Sequence, residues 1–314
     1  MASGEFPAPR GDARPHRTAR ARLCKRHPCA WMISGLQGKR TLAKRHKPLL
    51  GSRRWMHQTI QTLIGDWLRG LGAVALLARE AFHAIVRSKT PWRELIYQIY
   101  FVGVKSQSVV LITGAFTGMV LSAQTYFQFH KVKMDTATLA VTGVSMCSEL
   151  GPVLAALMVA GRVGAAIAAE LGSMRVTEQV DALRTLAMHP VDYLVVPRLL
   201  ALHIAMPLLT LEAIAVGIGA GYVVCVYLLG IEPTYLWHNM LRYTDVPDLF
   251  TGLLKSVVFG GIIALIGCYK GLCCGEGAEG VGRATTEAVV YASITILISN
   301  FFLTMALGPL LAAL

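Results

Sequence analysis

The chain of 314 residues is 54% hydrophobic and 15% charged, and it carries a formal net charge of +12 at pH 7. Soluble domains contain about 25% charged residues, so this composition argues against a water-soluble globular protein. The high apolar content also argues against an intrinsically disordered chain.

The positive charge is concentrated at the amino end. Residues 1–54 contain 14 Lys and Arg but only 2 Asp and Glu, whereas residues 55–314 contain 16 of each kind. The composition of this tail predicts a disordered segment. Three interpretations stay open: a tail attracted to anionic lipid, an organellar transit segment, or an over-extended start before Met56. No zinc-finger spacing or basic-aromatic platform accompanies it, so we expect no nucleic-acid binding.

Residues 55–95 are predicted to form an amphipathic helix. Apolar residues between Ile60 and Ile85 recur at three- and four-residue spacing, and charged residues occupy the opposite face. Such a helix beside membrane spans suits the plane of the bilayer interface. A soluble helix packed on its own chain is the alternative.

Five long apolar stretches follow, at about residues 106–127, 137–171, 199–229, 249–269 and 286–312. Each is long enough to cross a hydrocarbon core of about 30 Å, which needs about 20 helical residues. The predicted fold class is therefore an all-α integral membrane protein, with an interfacial helix and five spans in a transmembrane domain over residues 96–314. The Gly151-Pro152 pair predicts a kink or break in the second stretch.

Basic residues outside the apolar stretches predict the orientation. With the amino end in the cytoplasm, ten of those after residue 54 lie inside, and three lie outside, namely Lys131, Lys133 and Arg242. The positive-inside rule therefore places the amino end inside and the carboxyl end outside. The odd number of spans favours a homodimer.

Ionisable residues within the apolar stretches are costly in lipid and usually face a cavity or a partner. Three lie well inside a stretch: Glu149, Arg162 and Glu212. Three lie nearer the ends, where snorkelling of the side chain to the interface accounts for them: Lys105, Glu170 and Lys255. We predict that Glu149 lines a cavity, because it lies two residues before Gly151 of the Gly-Pro pair.

The sequence contains no signature of nucleotide hydrolysis or covalent catalysis. Two glycine-containing segments, residues 35–40 and 275–283, both lack the Gly-Lys-Ser/Thr ending of a phosphate loop. No H-E-x-x-H motif, nucleophile elbow or paired His/Cys ligand set is present. We therefore expect no enzyme activity, no metal and no cofactor.

A polar segment, residues 173–198, separates the second and third stretches. Its helical propensity extends to Met188, and Pro190 ends it. A solvated loop and a surface that receives force from a partner are both compatible with this composition.

Several motifs resemble the MlaE-type permease family. They are Glu149-Leu-Gly-Pro-Val, Ala-Gly-Arg162-Val-Gly, Glu170-Leu-Gly-Ser-Met-Arg175, Glu178-Gln-Val-Asp181, Val196-Pro-Arg198, Lys255-Ser-Val-Val-Phe-Gly and Gly282-Arg283-Ala-Thr-Thr-Glu. The resemblance covers residues 60–312 and leaves the basic tail outside. Ser148 departs from the family pattern, in which a basic residue is expected before Glu149.

This resemblance implies the permease subunit of an ABC transporter that moves phospholipid or a related lipid between the inner membrane and the outer envelope. It implies a homodimer in the bacterial inner membrane, separate ATPase subunits and an external Mce-domain substrate-binding protein. A plastid envelope is the alternative location. Residues 173–188 would form the coupling helix at the ATPase surface, with these residues on or near it: Arg175, Glu178, Gln179, Asp181 and Arg184.

We expect the acyl chains of the lipid to lie against Leu121, Tyr126 and Phe129, with Glu149 near the head group, in a cavity at the dimer interface. Two functions of other classes stay open. One is an ion-coupled secondary transporter in which Glu149 and Glu212 titrate. The other is a membrane scaffold that anchors other subunits without transporting anything.

Overall fold

The computed structural model of the protein describes residue 70 and residues 72–85, 92–186 and 188–311. These residues form helices joined by short turns, with no strand among them. The α-helices are α1 (72–85), α2 (Trp92–Val102), α3 (Val104–Phe129), α4 (Thr138–Ser145), α5 (Gly151–Val159), α6 (Ala165–Val176), α7 (Gln179–Thr185), α8 (Val196–Val223), α9 (Pro233–Tyr243), α10 (Val246–Leu272) and α11 (Gly277–Leu311). Tighter 3₁₀ turns occupy His130–Val132 and Asp135–Ala137, and wider π turns occupy Met146–Leu150, Ala160–Gly164, Val191–Val195 and Val224–Leu228.

Within the described ranges, five helical runs are long and apolar enough to cross a membrane. They are Trp92–Val132, Asp135–Val176, Val191–Leu228, Val246–Leu272 and Gly277–Gly308, called spans 1 to 5 below. The predicted fold class, an all-α multi-pass membrane protein, is thereby confirmed. Spans 1, 3 and 5 begin well before the apolar stretches seen in the sequence, because each helix continues through polar residues at the membrane edge.

Span 3 lies at the centre of the bundle. It packs against α3 of span 1 on one side and against span 4 on the other, while span 5 packs on span 4 and on α6 of span 2. The most apolar parts of spans 1 and 5 are the least buried of the five. These two spans therefore offer the largest apolar surface to lipid or to another subunit.

Small residues bring spans 1 and 3 into backbone contact. A Cβ atom at Gly118 would overlap the carbonyl group of Gly217, and one at Gly114 would lie 2.9 Å from the carbonyl oxygen of Ala213. Because Gly114 and Gly118 are four residues apart, both lie on the same face of α3. The close approach of these two spans therefore requires the absence of side chains at this seam.

The small-residue segment at residues 160–172 also packs within the chain. A Cβ at Gly164 would contact Ile263 of span 4, and one at Gly172 would contact Val281 of span 5. A Cβ at Gly161, three residues before Gly164, would meet nothing within 4 Å. The helix face that contains Gly164 and Gly172 therefore packs on spans 4 and 5 of the same chain.

The Gly151-Pro152 pair does not break span 2. The chain makes a π turn at Met146–Leu150 and continues directly as α5. Pro152 is the second residue after the π turn, so its missing N–H group removes a backbone hydrogen bond from the helix without ending it. The expected departure from regular α geometry is present, but as a widened turn within a continuous helix.

The predicted interfacial helix is described only in part, since residues 55–69, 71 and 86–91 lie outside the described residues. In α1 the buried face consists of Ala73, Leu77, Ala81 and Ala84, whereas Phe82 is exposed. The described members of the predicted apolar stripe, Val74, Ala75, Ala78, Phe82 and Ile85, are all at least partly exposed, so the face that packs on protein is a different one. An exposed aromatic ring beside a buried alanine face suits a helix that contacts both protein and lipid.

We expect Gly118→Ala to lower the free energy of unfolding by about 1–3 kcal/mol, because the added methyl group overpacks the seam between spans 1 and 3. Thermal unfolding of the purified protein in detergent would measure this change. Gly219→Ala is the matched control, since a Cβ there meets nothing within 4 Å. Equal melting temperatures for the two variants would contradict the role of Gly118.

Candidate functional site

A polar network joins spans 2, 4 and 5 inside the apolar bundle. Lys255 donates from Nζ to Glu149 Oε1 at 2.7 Å and to the backbone carbonyl of Ser148 at 3.0 Å. Its third acceptor is the Thr304 hydroxyl at 2.9 Å, which in turn lies 2.9 Å from Glu149 Oε1. Asn300 donates from Nδ2 to the other carboxylate oxygen, Glu149 Oε2, at 2.9 Å. We call these four side chains, those of Glu149, Lys255, Asn300 and Thr304, the polar network.

Local helix geometry places each member of the network. Glu149 lies in the π turn Met146–Leu150, a widened helical turn of the kind that frequently occurs at functional sites. Asn300 and Thr304 are four residues apart on α11, so they lie on the same face of that helix. Lys255 lies within α10, which packs between spans 2 and 5.

Burial differs sharply between the two charged members. The Lys255 side chain is 0% exposed, whereas the Glu149 side chain is 36% exposed. A buried ammonium costs several kcal/mol unless it is paired, and here all three of its N–H bonds have acceptors. The accessible side of the Glu149 carboxylate would be costly against hydrocarbon, which indicates a cavity, a ligand or another subunit there.

The snorkelling interpretation of Lys255 is wrong. The side chain is fully buried, and its ammonium group donates to Glu149 of span 2 and Thr304 of span 5 instead of reaching the interface. Sequence reasoning also missed Asn300 and Thr304. Their four-residue spacing in an apolar stretch was the signal that could have revealed a polar face.

The other ionisable residues of the spans also find partners on neighbouring helices. Arg162 donates to the Ser106 hydroxyl of span 1 at 2.5 Å. Glu212 accepts a hydrogen bond from Gln107 Nε2 at 3.2 Å, while its Oε2 atom is buried without a hydrogen-bond partner. Among the described residues, no hydrogen bond or ion pair connects Glu212 with the polar network. The two carboxylates proposed for an ion-coupled transporter therefore belong to separate clusters.

The three predicted acyl-chain residues lie towards the carboxyl end of α3. Tyr126 packs against a hydrophobic cluster formed by Leu139, Cys225, Ile231, Leu236 and Met240. Leu121 and Phe129 are partly exposed. No hydrogen bond, ion pair or ring contact in the described part of the chain links these three side chains with Glu149. Tyr126 thus has a packing role, and the lipid pathway through these residues stays a prediction.

The predicted coupling helix over residues 173–188 is in fact two helices with a turn between them. Span 2 continues as α6 to Val176, and the separate helix α7 covers Gln179–Thr185. Glu178 ends α6 because its backbone adopts a φ of 59°, in the left-handed region. Its carbonyl oxygen then accepts hydrogen bonds from the amides of Asp181 and Ala182, which starts α7.

Ion pairs hold this turn in place. Arg175 donates from Nη1 to both carboxylate oxygens of Asp181, at 2.9 and 2.8 Å. The buried Arg198 of span 3 lies 2.9 Å from the Glu170 carboxylate of span 2 and donates to the Leu194 carbonyl at 2.6 Å. The Arg198–Glu170 ion pair therefore joins span 3 to the end of span 2, and the Arg175–Asp181 ion pair joins span 2 to α7.

The outer surface of the turn is accessible. Glu178 and Gln179 are exposed, and so are the apolar side chains of Val176 and Leu186. The Arg184 side chain lies outside the described part of the structure. These exposed side chains leave the surface of the turn open to a partner, and its role as a docking surface stays a prediction.

Comparison with protein-family models matches residues 95–306 to the family described as Permease MlaE. The chain belongs to the MlaE permease family. The resemblance inferred from the sequence motifs is thereby confirmed, and the residues described above belong to the permease component of an ABC transporter.

Relatives of this MlaE-family permease occur in several lineages. A probable ABC transporter permease protein of Rickettsia felis is 46% identical over 75% of this chain and 91% of its own length. The chloroplastic protein TRIGALACTOSYLDIACYLGLYCEROL 1 of Arabidopsis thaliana is 37% identical over 75% of this chain and 67% of its own length. The intermembrane phospholipid transport system permease protein MlaE of Haemophilus influenzae is 34% identical over 76% of this chain and 92% of its own length.

We expect Lys255→Met to lower the free energy of unfolding of this permease by about 2–3 kcal/mol, because it leaves the Glu149 carboxylate without its counter-charge. Adding Glu149→Gln in the same chain should recover at least about 1 kcal/mol, because the unpaired charge is then removed. Thermal unfolding in detergent would measure both changes. Lys131→Met, at an exposed lysine, is the control and should change stability by less than about 0.5 kcal/mol. Additive effects of the two network substitutions would contradict the pairing.

Proposed function

We propose that this permease moves phospholipid, or a related lipid, between the inner membrane and the outer envelope of a bacterium. The polar network is the observation that carries the proposal. It places a charged and partly accessible carboxylate inside an apolar membrane bundle. The Haemophilus influenzae relative, whose name specifies intermembrane phospholipid transport, supports phospholipid as the substrate.

The chemistry of the polar network suits a lipid head group. Lys255 is fully buried and saturated with acceptors, so its function is to hold Glu149 ionised and in place. Glu149 then offers its accessible side to hydrogen-bond donors, such as the ammonium group or the hydroxyl groups of a phospholipid head group. We assign the acyl chains to Leu121, Tyr126 and Phe129, of which Leu121 and Phe129 have exposed sides.

We further propose that two copies of the chain form the transport unit, with Glu149 directed at a cavity between them. The accessible side of Glu149 and the largely unburied apolar face of span 5, which carries Asn300 and Thr304, support this arrangement. ATPase subunits would supply the energy from the cytoplasmic side, and an Mce-domain protein would exchange lipid on the outer side. The plastid envelope is the alternative location, because the Arabidopsis thaliana relative is named chloroplastic.

We assign the ATPase docking surface to the turn between α6 and α7. Glu178, Gln179 and the exposed apolar side chains around them would contact the ATPase. Arg175 and Asp181 would preserve the shape of the turn through their ion pair. Arg184 completes the proposed set on α7.

Charge reversal at Glu178 tests this docking surface. We expect Glu178→Lys to reduce co-purification of the ATPase about tenfold or more, because it places a cation where the partner receives a carboxylate. Glu178→Gly tests the side chain without changing the backbone conformation, because glycine adopts the left-handed conformation without strain. This second variant should retain a normal melting temperature but bind the ATPase weakly.

Glu276→Lys is the matched control for this experiment. Glu276 is exposed in the turn between spans 4 and 5, on the same side of the membrane as α7 in a five-span topology. ATPase recovery should stay at the wild-type level in this variant. Normal recovery with Glu178→Lys would contradict the assignment.

Substitution of Glu149 separates transport from assembly. We expect Glu149→Gln to reduce ATP-driven lipid transfer between vesicles about tenfold, while ATPase co-purification and membrane insertion stay normal. A non-transporting scaffold predicts no lipid transfer by the wild-type complex. A secondary transporter predicts transfer by the chain alone under an ion gradient, and either outcome would contradict the proposal. Mass spectrometry of lipid co-purified with the intact complex would identify the substrate.

A further inference from the structure

Two cations from different spans share one aromatic ring. Lys105 Nζ lies 5.2 Å from the centroid of the Phe101 ring, and Arg162 Cζ lies 5.8 Å from the same centroid. Phe101 and Lys105 are one helical turn apart on span 1, whereas Arg162 comes from the π turn Ala160–Gly164 of span 2. We call Phe101, Lys105 and Arg162 the cationic cluster.

The cationic cluster has no acidic partner. Arg162 donates one hydrogen bond, to the neutral hydroxyl of Ser106, although a guanidinium carries five N–H donors. Within the described ranges, no carboxylate forms an ion pair with either Lys105 or Arg162. Three other basic residues in the spans have such a partner, in the Lys255–Glu149, Arg198–Glu170 and Lys270–Glu287 pairs. Two positive charges in a membrane protein are thus left to be neutralised by something outside the described residues.

The surroundings of the cluster are open to a ligand. Lys105 is exposed and Arg162 is partly exposed. Gly161, directly before Arg162, is also exposed, and a Cβ built there meets nothing within 4 Å. An anionic group can therefore approach Arg162 without displacing a packed side chain.

An apolar stripe continues from the cluster along span 1. Val109, Ile112, Phe116 and Val120 are 40%, 58%, 62% and 61% exposed. Their spacing of three or four residues places them on the same face of α3 as Lys105. The cationic cluster and the apolar stripe therefore follow one another along span 1 in the same order as the phosphate and the acyl chains of a phospholipid.

We propose that the cationic cluster binds the phosphate of a membrane phospholipid, whose acyl chains lie along the apolar stripe of span 1. The arginine fork matches two phosphate oxygens, and the lysine supplies a second positive charge. Lys105 stands at the edge of the apolar part of span 1, the depth at which lipid phosphates lie. With the amino end in the cytoplasm, this lipid belongs to the cytoplasmic leaflet.

This lipid site is distinct from the polar network. Glu149 has its partners on spans 4 and 5, whereas the cationic cluster joins spans 1 and 2. Its use as a point of lipid entry or exit rests on the proposed transport function. Binding of the phosphate itself requires only that the chain lies in a bilayer.

Native mass spectrometry of the purified full-length chain tests the site. The protein is equilibrated in detergent with phosphatidylglycerol or with the phosphate-free lipid monogalactosyldiacylglycerol, and retained lipid is titrated. We expect Arg162→Gln to weaken retention of phosphatidylglycerol about tenfold, and Lys105→Gln about threefold. Arg162→Lys should fall between wild type and Arg162→Gln, because it keeps the charge and loses the fork.

Lys131→Gln, at the opposite end of span 1, is the control and should retain phosphatidylglycerol like the wild type. Lys105 is exposed, so Lys105→Gln preserves the fold and carries the test if Arg162→Gln unfolds.

Unchanged retention in Lys105→Gln would overturn the proposal, as would equal retention of the galactolipid. Displacement of the lipid by millimolar inorganic phosphate would identify a free-phosphate site instead. A change in oligomeric state with unchanged lipid retention would identify the cluster as a contact between copies.

The same variants, assayed for ATP-driven lipid transfer in the complete complex, distinguish this inference from the proposed function. If the wild-type complex transfers no lipid but the chain still loses phosphatidylglycerol on substitution of Lys105, the transport proposal fails and the site stands. If transfer proceeds and retention is unchanged by every substitution, the site fails and the transport proposal stands.

Discussion

A lysine ammonium buried in a membrane bundle requires an acceptor for each of its N–H bonds, and this requirement organises half of the molecule. Lys255 satisfies it with Glu149 and the Ser148 carbonyl from span 2 and with Thr304 from span 5. Spans 2, 4 and 5 must therefore keep one mutual arrangement for the charge to remain paired. The same arrangement leaves one side of Glu149 accessible, so the interaction that holds these spans together also creates the candidate site.

The other half of the bundle is held by contacts of a different kind. Spans 1 and 3 meet through small residues, and there the backbones touch with no side chain between them. Such a seam is stabilised by close packing and tolerates little change in distance. At this seam spans 1 and 3 are held by close packing, whereas spans 2, 4 and 5 are joined by a charged hydrogen-bond network around Glu149.

A continuous helical path connects the proposed ATPase surface with the polar network. Span 2 carries Glu149 in one π turn, Arg162 in the next, and Glu170 near its end. The Glu170–Arg198 ion pair fastens that end to span 3, and the Arg175–Asp181 ion pair fixes the turn that follows. A displacement of α7 would therefore reach spans 2 and 3 together. Both π turns lie on this path, and each carries a charged residue, Glu149 in the first and Arg162 in the second.

Composition and periodicity by themselves determined the number of spans, the all-α class and the location of the polar segment after span 2. They could do so because the thickness of the hydrocarbon core imposes a minimum length and an apolar composition on every span. The motifs around Glu149 and Glu178 were sufficient for the family. Only the tertiary structure decided that Lys255 is buried against Glu149, that Asn300 and Thr304 complete the network, and that Glu178 divides the coupling segment into two helices. These features depend on which helix faces which across a hundred or more residues of sequence, and on one backbone dihedral angle. Hydropathy predicts neither the helix contacts nor the dihedral angle, because it measures how apolar a segment is and not what that segment contacts.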